Sequence, residues 1–342
     1  MGEPKVSVIV PCRNERRHIG PFLESVLSQC PIAGGIEIII VDGMSNDGTR
    51  EVIRSIVERV PNVRCIDNPG QIVSTGLNIA IREARGEFIA RMDVHTCYAS
   101  DYLLKCLQVF EATDADNVGG PWRARGHSLV QRSIAMAFNS PFAAGNARSH
   151  VLDYEGEVDS VYLGFWRRDY LLATGLFDEE LVRNQDDELN LRIVRRGGKI
   201  WQSPSIVSWY EPRPRLGLLF KQYAQYGYWK VRVIQKHRLP ASVRHIIPGS
   251  FVATLGGSVV LAPFFSSAGA LATLLGLSYV SASLIASVLL CVRSRSWQSL
   301  LLLPPIFACF HFGYGCGFLA GVWRFWFGRR TDGAAFRDLT RS

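Results

Sequence analysis

The chain has 342 residues, 48% of them hydrophobic, and a formal charge of +8, enough for one large α/β domain and a further element. The charge is uneven: residues 1–210 carry a net −4, 211–247 a net +7 and 248–342 a net +5. The basic surplus therefore flanks apolar runs instead of forming a patch on a folded domain, which excludes nucleic acid as the expected partner and points to an anionic membrane surface.

In chain order, residues 5–11 (KVSVIVP) form a near-continuous β-branched run that fits a strand covered on both faces. Ile19, Phe22, Leu23, Val26 and Leu27 then recur at helical spacing. A second strand is predicted over 36–41, and a second helix is marked by Val52, Ile53, Ile56, Val57 and Val60. A third strand over 63–66, a helix near 72–85 and a fourth strand over 86–93 follow. Strand and helix alternating at this spacing imply βαβ units and a mostly parallel sheet. No signal-peptide pattern precedes the first strand. The 8 cysteines show neither CxxC nor zinc spacing, as expected of reduced, structural thiols in the cytosol.

Ligands of such sheets sit beyond the carboxyl ends of the strands, where Asn14, Glu15, Asp42 and Asp93 all fall. Asp93 and His95, two apart just past the fourth strand, offer an oxygen and a nitrogen ligand for a divalent cation such as Mn²⁺ or Mg²⁺. A strand-end Asp capping a turn beside an exposed His explains the same pair without a metal. The loop 41–49 (VDGMSNDGT) suits a tight turn into a helix. That turn leaves Asp42 unexplained at the end of a buried strand, where an unpaired carboxylate is costly; a nucleoside base or ribose would supply donors.

VSVIVPCRNE, VDGMSNDGT, the stretch ending ARGEFIARMDVH, GLFDEEL and QDDELNLRIVRRGGKI together resemble family 2 glycosyltransferases, over about residues 5–235. Within that family the chain is most similar to bacterial exopolysaccharide glucosyltransferases of the succinoglycan kind. The resemblance implies an α/β GT-A fold with a Rossmann-like, mostly parallel sheet, a UDP-sugar donor, a divalent metal and inversion at the anomeric carbon. It places Pro11, Glu15, Asp42 and Asp93 around the donor, Asp93 and His95 on the metal, and Asp186 as general base. Three positions depart from the family pattern: Gly43 and His95 stand where Asp is usual, and Gln185 where Glu is usual. Imidazole at His95 favours Mn²⁺ or Zn²⁺ over Mg²⁺.

Between the metal pair and the base, the Gly-, Ser-, Asn- and His-containing stretch 118–168 is expected to be a mobile loop over the acceptor cleft or a passive surface excursion. Arg167 and Arg168 would meet an anionic acceptor or lie solvated at the surface. Asn184 is expected to cap the next helix, with Asp187 and Glu188 favoured in its first turn by the helix dipole. Residues 216–234 interleave aromatics with Lys221, Lys230 and Arg232, which suits an interfacial helix on anionic lipid; packing on its own domain is the other reading.

Residues 248–292 carry no charge, enough for two spans, and 297–323 contain His311 as the only group potentially charged near neutral pH. The expected organisation is a catalytic domain over 1–215, an amphipathic and basic segment over 216–247, three spans (248–266, 269–292 and 298–323) and a basic tail over 328–342. The positive-inside rule conflicts with three full spans, since Arg329, Arg330, Arg337 and Arg341 would then lie outside.

The expected protein is a hexosyltransferase, multi-pass in the inner (cytoplasmic) membrane with its catalytic domain cytoplasmic. It would pass a hexose, glucose from UDP-glucose, to a lipid-linked saccharide during exopolysaccharide assembly, alongside other polysaccharide-assembly enzymes. Alternatives are transfer to polyprenyl phosphate, a processive synthase, or an inactive membrane scaffold. The synthase is disfavoured by the absence of a clear QxxRW in QYAQYGYW, and the scaffold by retention of Asp42, Asp93 and Asp186.

Overall fold

The computed structural model describes residues 3–145, 147–240, 242–328 and 336. The chain divides into two compact units, one built from residues 1–123 and 148–210, the other from 124–147 and 211–342.

The first unit begins with β1 (Val6–Cys12), α1 (Ile19–Leu27), β2 (Ile36–Asp42), α2 (Thr49–Val57), β3 (Val63–Asp67), α3 (Val73–Glu83) and β4 (Phe88–Arg91). These are the seven alternating elements expected from the apolar spacing. β5 (Thr96–Tyr98), α4 (Tyr102–Ala112), β6 (Asn117–Gly120) and the short β7 (Arg123–Ala124) follow. The main sheet runs β3-β2-β1-β4 in parallel. Alternate residues of β1 enter opposite layers: Val6, Val8 and Val10 pack with α1, α2 and α4, whereas Ile9 packs with α3. Period-two burial on both faces explains why β1 and β2 are almost wholly apolar.

The stretch expected to be a loop over 118–168 instead carries α5 (Leu129–Phe138) and α6 (Pro141–Ala144), both in the second unit. A capping box starts α5, with Ser128 Oγ accepting from the Gln131 amide and the Gln131 side chain accepting from the Ser128 amide. Ile134, Ala137 and Phe138 give it a buried face. The polar composition conceals a short amphipathic helix.

The chain returns to the first unit with β8 (Gly156–Glu157), β9 (Tyr162–Arg167), α7 (Arg168–Thr174), α8 (Gln185–Arg195), β10 (Ile200–Gln202) and β11 (Ser208–Tyr210). The full sheet order is β3-β2-β1-β4-β9-β6-β10-β8, with β9 inserted antiparallel between β4 and β6. Both arginines of the VYLGFWRRDYL segment have partners within this unit. Arg167 pairs with Glu87 at 3.1 Å, and Arg168 donates to the carbonyls of Ile81 and Arg82.

The second unit contains α9 (Leu216–His237), α10 (Ile247–Leu261), α11 (Ser266–Ser294) and α12 (Leu303–Val322), the last continued by a π-helical turn over Trp323–Phe327. The segment read as either an interfacial helix or a helix packed on its own domain, α9, packs along α12, and Lys230 is buried. Gly313, Gly317 and Gly321, spaced four apart on one face of α12, let the two backbones meet. A Cβ at Gly317 would overlap the Ala224 carbonyl oxygen, and one at Gly227 the Tyr314 carbonyl oxygen. Among the described residues, two helices are long and apolar enough to cross a membrane, Ser266–Ser294 and Leu303–Phe327. The first of the three expected spans is the 15-residue α10, about 22 Å long and short of a bilayer core. The turn after it falls at residues 262–265, around Pro263, and not at 266–269. His311 is used structurally: Nε2–H donates to the Phe142 carbonyl at 2.9 Å, and Nδ1 accepts from the Tyr279 hydroxyl at 3.0 Å. Of the expected basic tail, only Gly328 and Phe336 are among the described residues.

The glycine contact makes a direct forecast. In detergent-solubilised full-length protein, Gly317→Ala should lower the melting temperature, with an overpacking loss of about 1–3 kcal/mol. Gly256→Ala in α10, where an added Cβ meets nothing within 4 Å, should leave it unchanged or raise it slightly.

Candidate active site

The parallel pairing of β1 with β2 and β4 brings three strand ends side by side, with Cys12 opposite Asp42 and Ile9 opposite Arg91. Pro11 sits on β1 opposite Val41, half-buried. The loops after β1 and β2 are laced together. The Asn14 amide donates to Ser45 Oγ at 2.8 Å, the Asn46 amide to Asn14 Oδ1 at 3.0 Å, and the Glu15 amide to Thr49 Oγ1 at 2.7 Å. Asn14 and Met44 adopt left-handed conformations, φ 55° and 58°, to make the bends. Asp42 is fully buried but not short of donors, because the Ser45 amide reaches Oδ2 at 3.0 Å and the Ser45 hydroxyl reaches Oδ1 at 2.5 Å. Arg50 lies 3.6 Å away and also pairs with Asp67. Burial of Asp42 thus follows from its own loop and needs no nucleoside to explain it.

At the end of β4, Arg91 is 4% exposed and holds two carboxylates. Its Nε and Nη2 bind the two oxygens of Asp93 at 3.0 and 3.1 Å, and its Nη1 binds Asp186 Oδ1 at 2.5 Å. The motif carboxylate and the expected base, 93 positions apart in sequence, are therefore neighbours through one guanidinium. Sequence reasoning missed Arg91. The available signal was a lone cation closing an apolar strand, where a charge persists only with partners.

Asp186 lies in the first turn of α8, which begins after Asn184 in a left-handed conformation at φ 61°. The Asn184 side chain does not cap the helix, contrary to expectation, because that conformation turns the side chain away from the cap position. Gln185 is buried, so the glutamate usual there would place another charge inside the protein. Glu188 binds Arg192 through both oxygens at 2.8 Å, and Arg192 also holds the Thr174 and Leu176 carbonyls, a structural role. Asn190 fixes the helix to β6 by accepting from Asn117 Nδ2 at 2.9 Å. Removal from bulk water raises the Asp186 carboxyl above its ordinary value; Arg91 opposes the rise and the Asp93 charge adds to it. The side chain keeps 40% of its surface exposed, which limits the size of that rise.

His95 does not stand alone with Asp93. Its Nε2 is 2.7 Å from the Glu15 carboxylate, and its ring centroid lies 4.5 Å from that of His18. Ligand atoms of Glu15, His18 and His95 all fall within 4.8 Å of one another. Tyr98 closes the turn below them, its hydroxyl accepting from the Asp93 amide at 2.7 Å and donating to the Asp93 carbonyl at 3.2 Å.

Residues 7–171 match the model of glycosyl transferase family 2. The succinoglycan biosynthesis protein ExoA of Rhizobium meliloti is 32% identical over 244 residues, 70% of this chain and 73% of that protein. The dolichyl N-acetyl-alpha-D-glucosaminyl phosphate 3-beta-D-2,3-diacetamido-2,3-dideoxy-beta-D-glucuronosyltransferase of Methanococcus voltae is 24% identical, over 93% of this chain and 97% of its own. Among solved structures, the mannosyltransferase PcManGT of Pyrobaculum calidifontis, in complex with GDP-Man and Mn²⁺, superposes with a TM-score of 0.59 at 18% identity, covering 94% of this chain and 88% of its own. That likeness shows the GT-A fold. With the strand order, the strand-end carboxylates and the relatives in agreement, the chain belongs to the family 2 glycosyltransferases and is an enzyme of polysaccharide or glycan biosynthesis.

Proposed function

We propose that this glycosyltransferase is held in the inner membrane by its C-terminal helices, with its catalytic unit in the cytoplasm. There it transfers a hexose, glucose from UDP-glucose, to a hydroxyl of a lipid-linked saccharide, with inversion. The observation that carries the chemistry is the Arg91 bridge, which sets Asp186 beside the strand-end carboxylate Asp93. A sugar hydroxyl attacks only as its proton is accepted. With Oδ1 of Asp186 engaged by Arg91, Oδ2 is the oxygen that takes that proton. Pro11 and Asp42 flank the nucleoside, Asp42 shaping the pocket through the Ser45 loop that it orders. A divalent cation at the turn after β4, with His95 as one ligand and Asp93 beside it, would neutralise the diphosphate leaving group when bound.

Membrane attachment is supported by the apolar surface of α10, α11 and the turn between them, where Val260, Phe264, Leu274, Leu277 and Leu289 are all exposed, more than a water-soluble helix pair tolerates. A lipid-linked saccharide acceptor is supported by the Methanococcus relative, whose name specifies a dolichyl phosphate sugar and whose match extends through these helices. The nucleotide-sugar donor and metal are supported by the GDP-Man and Mn²⁺ of the structural neighbour.

Asp186→Asn should lower kcat by about 10²–10⁴ while donor KM stays near wild type, and Asp187→Asn should cost little. Equal, modest losses in both variants would make the acidic turn structural. Retained activity in Asp186→Asn would instead fit a polyprenyl phosphate acceptor, which is already ionised. Donor identity is read by comparing UDP-glucose with GDP-mannose against native membrane lipids.

The base works ionised, and its carboxyl is raised, so protonation and loss of kcat should set in at a higher pH than for an ordinary carboxylate near 3.9. In a kcat–pH profile, Asp186→Asn should erase that acid limb. Topology is checked by His150→Cys in an otherwise cysteine-free chain. The new thiol should be unreactive to an impermeant maleimide in intact cells and react once the inner membrane is opened.

A further inference from the structure

We infer that the divalent cation is held by a preformed two-histidine, one-carboxylate site made of Glu15, His18 and His95, with Asp93 withdrawn from it onto Arg91. The inference rests on the metal-dependent transferase reading above and specifies its ligands. His18 belongs to no motif that identifies the family, and Glu15 was expected at the nucleoside.

Three independent features build the site. A backbone turn follows β1, in which the His18 and Ile19 amides both donate to the Glu15 carbonyl at 2.9 Å. This near-helical turn puts side chains three apart on one side, so Glu15 and His18 project together. β1 and β4 are adjacent and parallel, so the turn after β4 delivers His95 to the same place. Finally, both oxygens of Asp93 are already bound by Arg91, whose side chain is 5% exposed. Releasing Asp93 to a cation would leave a buried guanidinium short of a partner, a strongly unfavourable state.

The donor atoms lie within 4.8 Å of one another, and Glu15 is 2.7 Å from His95. A cation with bonds of about 2.1 Å holds neighbouring donors about 3 Å apart, so it enters by displacing the proton shared by Glu15 and His95 and by rotating His18. His18 is exposed at the start of α1 and has room to rotate. Three protein ligands leave positions open for the oxygens of a diphosphate. Two imidazoles favour Mn²⁺, Co²⁺ or Zn²⁺ over Mg²⁺, which prefers an all-oxygen shell.

The test uses purified full-length protein stripped with chelator, with no donor present. Titration with Mn²⁺, followed by loss of the free-ion electron paramagnetic resonance signal, should give one site per chain. Co²⁺ should give a visible absorption band from imidazole coordination. His18→Ala, Glu15→Gln and His95→Ala should each weaken Mn²⁺ binding by about 10–100-fold or more and alter the Co²⁺ band, while Asp93→Asn leaves both essentially unchanged. His18 is exposed, so its variant should fold, which a wild-type circular dichroism spectrum checks. Binding that is lost in Asp93→Asn but intact in His18→Ala would overturn the triad and leave the metal on Asp93 and His95. Absence of any donor-free binding by the wild type would also overturn a preformed site. Full turnover of the wild type in chelator would separately overturn the metal-dependent reading itself.

Discussion

A single buried guanidinium organises the catalytic unit. Arg91 ends a central strand and can be buried only because two carboxylates meet it, one from its own strand end and one from the first turn of α8. Breaking such a group away from its partners leaves an uncompensated charge inside the protein. The constraint therefore runs both ways: Arg91 fixes where α8 starts relative to β4, and the acids fix the arginine. The Asn117–Asn190 hydrogen bond adds a second anchor between α8 and the sheet. A carboxylate mounted on a helix pinned at two points keeps its direction, as the base proposed for Asp186 would need to.

The same economy of partners explains the rest of the strand-end surface. Asp42, Asp93 and Glu15 all read as site carboxylates, yet each has a different neighbour. Asp42 is satisfied by Ser45 and ordered by its own loop, Asp93 by Arg91, and Glu15 by His95. Three acids that look equivalent in sequence thus separate into a loop organiser, a partner of Arg91 and a partner of His95. What separates them is which donor the fold brings within reach.

The second unit rests on a different principle. Its long helices have little polar chemistry with which to select neighbours, so shape takes over. Glycines at every fourth position of α12 remove side-chain bulk along one stripe, and α9 settles into it at backbone distance. The aromatic and basic residues of α9 looked like equipment for a lipid surface. Leu219, Tyr228, Trp229 and Lys230 are instead buried in the packed unit.

Much of the fold was legible in the chain. The seven leading elements, the doubly covered strands and the clustering of Glu15, Asp42 and Asp93 at strand ends follow from apolar periodicity and the geometry of parallel sheets. The apolar runs that become α11 and α12 were equally plain, because length without charge is a one-dimensional property. Pairings between distant residues were not legible: Arg91 with Asp186, Glu15 with His95, α9 with the glycine stripe, and the helices hidden in residues 118–168. Each depends on two segments meeting in space, and nothing in the local spacing of either segment encodes the other's position. The sequence by itself determined which groups are available and which strand ends carry them. Only the tertiary structure decided which charge neutralises which, because a buried charge settles on the partner that the chain's path delivers.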